Sequence, residues 1–126
     1  MVTFGAPLPV QNHSQKAVNA AVEVLEQLES AVRTGAISPT RIGIGIHTGE
    51  AVTGNIGTDT RQQYSITGSV VIMASRIEQL NKEFHSQILV SEDLIQNIDI
   101  NKNGMDLYKN ICLKRFEKPV TLYKLA

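Results

Sequence analysis

The stretch Ile42-Gly-Ile-Gly-Ile-His-Thr-Gly-Glu50 places an isoleucine at every second position, with a glycine between each pair. This alternation predicts a β-strand over residues 41–47, because successive side chains of a strand point to opposite faces of the sheet. Glycines on one face indicate that another part of the chain packs closely against that face. Thr48-Gly49 then predicts a turn, so the strand is followed by a change of direction.

Further strands and two amphipathic helices are predicted on either side of this segment. Three neighbouring strands are expected to pair in antiparallel fashion, and the order (β)αβββαβ(α)ββ indicates an α+β fold with helices on one face of a mainly antiparallel sheet. Ser14 and Ser69 are expected to begin the two long helices and Ser91 a short one. The predicted strands are 2–4, 41–47, 51–56, 62–67, 88–90, 107–113 and 120–125, and the helices are 14–33, 70–82 and a short one from 91.

Composition indicates one globular domain over residues 1–126 and excludes several classes of function. Twelve basic and twelve acidic side chains cancel, so no overall field attracts nucleic acid or an anionic membrane. The apolar runs are far shorter than the ~20 residues that cross a bilayer, and a cytoplasmic location is expected. Cys112 is the only cysteine, which excludes an internal disulfide and a four-thiolate metal site, and we expect it to be a small core residue of a strand.

The central motif continues in a pattern that resembles the class III adenylate and guanylate cyclase catalytic domain. The matching segments follow one another through the whole chain. They are Phe4-Gly-Ala-Pro7, residues 42–50, Gly54-Asn-Ile-Gly57, Arg61, Tyr64-Ser-Ile-Thr-Gly68, Ala74-Ser-Arg-Ile-Glu78, Leu80-Asn-Lys82, Ile88-Leu-Val-Ser91 and Lys118-Pro-Val-Thr-Leu-Tyr-Lys-Leu125. The resemblance implies a ferredoxin-like cyclase fold that lacks its N-terminal strand and helices.

The resemblance also implies a reaction that depends on Mg²⁺ or Mn²⁺. In the family two aspartates bind two such ions, and both would lie upstream of Met1, as would the lysine that reads the purine. In-line displacement at a phosphate uses cations on the attacking and leaving oxygens. We therefore expect the metal ligands to be absent from this chain, which would be inactive in isolation.

Four positions carry the substrate roles that the resemblance implies. In the family an asparagine that orients the ribose and an arginine that stabilises the transition state lie four residues apart on one helix; here they are Ile72 and Arg76. Ile72 cannot form a hydrogen bond with a ribose, so that position is degenerate. Ser65 stands at the purine-selecting position, where a hydroxyl favours ATP over GTP, and Thr67 is a further substrate-binding residue.

Structural alternatives remain open for several of these residues. Ser65 can equally be a solvated or strand-bonded hydroxyl, and Arg76 a surface arginine paired with Glu78 or another acid. His47 lacks a partner at a diagnostic spacing for a general base, so a hydrogen-bonded, partly buried imidazole is favoured. Asp99 to Gly104 imitates half of an EF-hand loop, but Asn110 stands where the bidentate glutamate belongs, so a turn before a strand is favoured.

Three functions are compatible with these expectations. The first is an adenylate cyclase domain that makes cyclic AMP for signal transduction at a dimer interface, with this chain supplying only the Arg76 side of the site. The second is an inactive cyclase-like module that dimerises with a partner or regulates it, which Ile72 favours. The third is a nucleotide-binding α+β domain without turnover. Uncovered apolar surface predicts a homodimer or other self-association.

Overall fold

The computed structural model describes residues 1–6, 8–50, 52–58, 61–100, 105–114 and 116–126, with the backbone alone for 52–58 and 61–67. Three helices and six strands alternate along the chain. In order they are α1 His13–Arg33, β1 Ile44–Ile46, β2 Val52–Thr58, β3 Arg61–Thr67, α2 Ser69–Gln79, β4 Ile88–Ser91, α3 Glu92–Gln96, β5 Asp106–Ile111 and β6 Val120–Lys124. No helix in these ranges has the length and apolar character needed to span a bilayer.

Four strands form one sheet in the order β1-β4-β6-β5, and β2 and β3 form a separate antiparallel hairpin. Three of the four strand pairings are antiparallel, so the expected α+β fold with a mainly antiparallel sheet is confirmed. The expected antiparallel neighbours of β1 are wrong, since β1 pairs in parallel with β4, with Ile44 opposite Ile88. A parallel pair needs a long crossover connection, and α2 lies within the one that joins β1 to β4.

The two long helices cover opposite faces of the sheet, which corrects the expectation that helices lie on one face. Ile88 and Val90 of β4 pack in one apolar cluster with Val18, Ala21 and Leu25 of α1. Leu89, between them, packs in a second cluster with Ile77 of α2. These three apolar side chains of β4 are fully buried, and such an uninterrupted apolar run is typical of a strand that is covered on both faces.

Several local predictions fail at the ends of elements. Ser14 is buried inside α1, which begins one residue earlier after Asn12, so Ser14 does not begin the helix. No strand lies in residues 1–6. Cys112 follows the last residue of β5 and is exposed, so it is not a core residue. Ser91 does cap α3, because its hydroxyl accepts a hydrogen bond from the Leu94 amide at 3.3 Å.

Candidate active site

The start of α2 follows the end of β3 after a single residue, Gly68. Gly68 has φ 132° and ψ 173°, a region of backbone conformation that is open essentially to glycine alone. Its carbonyl accepts hydrogen bonds from the amides of Val71 and Ile72, so Gly68 occupies the N-cap position. Ser69 is the first helical residue and provides no side-chain cap, which corrects the expected capping role.

The glycine face of β1 lies directly against α2, as its sequence predicted. A Cβ atom added to Gly45 would lie 2.4 Å from the Glu78 amide nitrogen and 2.7 Å from the Ala74 carbonyl oxygen. These are main-chain atoms, so a side chain at position 45 would displace the helix. The isoleucine-glycine alternation therefore serves to bring the α2 backbone onto the sheet.

Ile72 and Arg76 lie one turn apart on the same face of α2, as their four-residue spacing requires. The Ile72 side chain, in the first turn of α2, is 42% exposed. The Arg76 guanidinium donates from Nη1 to the Gln79 amide oxygen at 3.3 Å. Its Nε is enclosed and finds no hydrogen-bond partner among the side chains and backbone that the structure describes.

Arg76 bonds to Gln79, and among the described side chains no salt bridge joins it to Glu78 or to another acid. A buried guanidinium N–H without an acceptor is costly, because it has lost its hydration without a replacement. An anionic or carbonyl group within hydrogen-bond distance of Nε would remove that cost.

Ser65 and Thr67 lie on β3, the strand that leads into Gly68 and α2. In the hairpin Ser65 is opposite Gly54 and Thr67 is opposite Val52. Their side chains lie outside the described part of the chain, so the purine-selecting and substrate-binding roles stay predictions. The backbone does bring both positions to the strand that immediately precedes the helix of Arg76.

The candidate metal ligands in the described part of the chain do not cluster into a site. Among the described residues no group of three or more histidine, cysteine, aspartate or glutamate side chains comes together. Mg²⁺ and Mn²⁺ prefer carboxylate and other oxygen ligands, and Ile72, Arg76 and Gln79 supply no carboxylate. No catalytic step can therefore be assigned to a metal held by these residues.

His47 at the end of β1 has a structural role. Its Nδ1 lies 2.7 Å from the hydroxyl of Ser91, the residue that caps α3. Burial lowers the pKa of His47 below its ordinary value of 6.5, and the nearby Asp93 carboxylate opposes this shift only in part. The hydrogen-bonded, partly buried imidazole expected from the sequence is confirmed.

The segment that imitates a calcium loop falls mostly outside the described residues, which exclude 101–104. β5 begins at Asp106, so a strand follows where an EF-hand requires a helix.

Sequence reasoning gave no role to Gln79 or Asn81. Gln79 stands three residues after Arg76, a spacing that brings side chains of a helix together.

Comparison with known proteins decides the family. The model of the adenylate and guanylate cyclase catalytic domain matches residues 1–125. The chain belongs to this family. Cyclases of the family bind a nucleotide triphosphate, depend on divalent metal ions and act as dimers.

Three cyclases illustrate the range of this similarity. Adenylate cyclase 1 of Rhizobium meliloti is 38% identical over 91 residues, which cover 70% of this chain and 14% of that protein. The adenylyl cyclase CyaB from P. aeruginosa superposes with a TM-score of 0.71 at 30% identity, over 98% of this chain and 64% of CyaB. The guanylyl cyclase Cya2 gives 0.77 at 30% identity, over 96% of this chain and 61% of Cya2.

The chain spans less than two thirds of each of these cyclases, and about one seventh of the Rhizobium meliloti protein. An adenylyl and a guanylyl cyclase of known structure share the same 30% identity with it. The family is therefore established, whereas the comparisons do not select the nucleotide.

Proposed function

We propose that this chain forms part of an adenylate cyclase catalytic site, which converts ATP to cyclic AMP and pyrophosphate between two chains. The chain contributes the Arg76 side of that site. The observation that carries the proposal is the state of Arg76. Its guanidinium is half-buried on a helix fixed against the sheet, and its Nε has no acceptor in the described residues.

The reaction explains why an arginine suits this position. The ribose 3′-hydroxyl releases its proton to water, and its oxygen bonds to the α-phosphorus. The bond from that phosphorus to the bridging oxygen breaks, and pyrophosphate leaves as negative charge builds on the phosphates. A guanidinium stays charged at any physiological pH and presents several N–H donors in a fixed plane. Held in place before the reaction, it stabilises this charge without reorganising.

The remaining parts of the site belong to the proposal as well. Ser65 and Thr67 are the proposed substrate-binding residues, and the Ser65 hydroxyl is the reason to favour ATP. Mg²⁺ or Mn²⁺ would be held by carboxylates, and the described residues bring no group of such ligands together. The second half of the site comes from a partner chain, in a homodimer or with a related domain. The proposed location is the cytoplasm, a reducing compartment that suits a chain with a single cysteine.

A second candidate is a cyclase-like module that binds a partner domain without catalysis. Ile72 favours it, because an apolar side chain stands where the family has a ribose-binding asparagine. An exposed apolar residue on the proposed substrate face is also suited to contact with another protein surface. An isoleucine at this position removes one preorganised polar contact with the ribose, and such a loss typically lowers a catalytic rate by about 10²–10³.

A complementation assay separates the two functions. The partner is a bacterial adenylyl cyclase domain whose own arginine, at the position that matches Arg76, is replaced by alanine. We expect cyclic AMP from MnATP to exceed the sum of the two separate preparations when the chains are mixed. The Ile72→Asn chain should raise this rate further, because it restores the missing ribose contact.

The contrary result is a mixture that forms no cyclic AMP beyond that sum with either version of this chain. If the two chains nevertheless associate, the non-catalytic module is favoured. Association is measured in the same samples by analytical ultracentrifugation. A failure to associate would contradict both candidates.

A further inference from the structure

Asn81 lies two residues beyond the end of α2 and its side chain is almost fully buried. Nδ2 donates to the carbonyl oxygen of Ile44 in β1 at 3.1 Å and to that of Glu78 in α2 at 3.0 Å. Oδ1 accepts a hydrogen bond from the Ser86 hydroxyl at 2.8 Å. A single amide thus uses its donors and its acceptor to fasten the last turn of α2 to the edge of β1.

The same turn is held from the other direction by main-chain contact. The absent Cβ of Gly45 would lie 2.4 Å from the Glu78 nitrogen and 2.7 Å from the Ala74 oxygen, so the helix already approaches β1 as closely as it can. Asn81 prevents the helix from moving away. Arg76 lies in the turn between Ala74 and Glu78, whose main-chain atoms face Gly45. Its Nη1 donates to Gln79, the last residue of the helix.

We propose that Asn81 is a positioning residue for Arg76, fixing the last turn of α2 so that the guanidinium is held where the nucleotide phosphates bind. This inference rests on the proposed nucleotide-binding role of Arg76. A preorganised charge acts fully only when its support keeps it within about 0.5 Å of the productive geometry. The Asn81 amide, buried and bonded to two elements, is a support of this kind.

A double-mutant cycle in the full chain tests the coupling. ATP is the probe, and Kd is measured from ¹H–¹⁵N chemical-shift changes during titration. We expect Arg76→Ala to raise Kd, and Asn81→Ala to raise it about three- to tenfold when Arg76 is present but not in the Arg76→Ala background. An equal effect of Asn81→Ala in both backgrounds, or no effect while Arg76→Ala has one, would overturn the proposal.

A second measurement follows the guanidinium directly. The Nε–H resonance of Arg76 in the free chain should shift and broaden in Asn81→Ala. Two controls should leave it unchanged: Asn97→Ala, which removes a similar amide bond to a carbonyl of α3, and Ile95→Val, which loosens the opposite core. If Asn81→Ala does not fold, Ser86→Ala replaces it, since it removes only the bond to Oδ1 and should shift the resonance less.

The two measurements keep the inference and the proposed function apart. A shifted Arg76 resonance together with an ATP Kd that Arg76→Ala leaves unchanged would contradict the nucleotide-binding role and retain the positioning contact. An unshifted resonance in both Asn81→Ala and Ser86→Ala would refute the positioning role whatever the value of Kd.

Discussion

Arg76 and Ile72 lie one helical turn apart, and their side chains favour different functions. Arg76 keeps a partly enclosed guanidinium whose Nε finds no acceptor among the described residues, which suits contact with phosphate. Ile72 presents apolar surface at the position expected to bind the ribose. Sequence reasoning identified both residues through the family resemblance, because the spacing fixes the helical face once the helix is known. It could not reveal the enclosure of Nε, which depends on tertiary packing.

At the same scale, His47 predicts how stability depends on pH. Its folded-state pKa is lowered by burial, so the unfolded chain binds more protons at pH values near and below 6.5. The free energy of unfolding should therefore fall as the pH decreases from 6.5 toward the folded-state pKa, and level off below it. Urea denaturation at a series of pH values measures this dependence.

The matched controls for His47 are two glutamine variants. His47→Gln should flatten the decrease in stability below pH 6.5, because the titrating group is gone while an amide can still bond to Ser91. His13→Gln, at an exposed position at the start of α1, should leave the decrease unchanged. Parallel pH profiles for the wild type and His47→Gln would show that another group causes the effect.

At the scale of elements, the contact between β1 and α2 is the feature that positions the site. We expect Gly45→Ala to destabilise the fold by about 1–3 kcal/mol, because its Cβ would overlap main-chain atoms of α2 and force a backbone shift. Gly49→Ala is the control, since its Cβ would meet side-chain atoms and no main-chain atom, the nearest being a Val70 methyl group at 3.1 Å. Chemical denaturation of both variants measures the difference, and equal losses would contradict the close packing of α2.

Periodicity predicted most of these elements, and tertiary contacts explain where it failed. Alternation gave β1 and its close-packed glycine face, and the apolar spacing gave both long helices within a few residues of their observed ends. The parallel pairing of β1 with β4 joins residues more than forty positions apart, which local pattern cannot detect. The short run at β4 was predicted as a strand, but its uninterrupted apolar character also signalled burial on both faces.

At the scale of the whole molecule, one apolar surface predicts self-association. In the described sheet β1 is an edge strand, and a groove of about 660 Å³ beside it is lined in part by Val24, Leu28 and Ile42. We expect size-exclusion chromatography to show a dimer or larger species, because unpaired strand edges and apolar grooves favour association. The Val24→Lys variant should shift the chain toward the monomer by placing a charge in the groove.

Val22 provides the matched control for this surface. It is exposed on the same helix but does not line the groove, so Val22→Lys should leave the elution volume unchanged. A wild-type chain that elutes as a monomer at all concentrations would refute the expected association. Equal effects of the two substitutions would show that the groove is not the surface involved.

The central claim, that α2 brings Arg76 to a nucleotide shared between two chains, is tested most directly by the rate of cyclic AMP formation in the complementing mixture. Replacing Arg76 with alanine should lower that rate by about 10²–10³, the cost of losing one preorganised charge contact. Arg33→Ala, which removes the basic residue from the last turn of α1, should leave the rate unchanged. A mixture whose activity survives Arg76→Ala intact, or falls equally with Arg33→Ala, would contradict the assignment of Arg76 to the site.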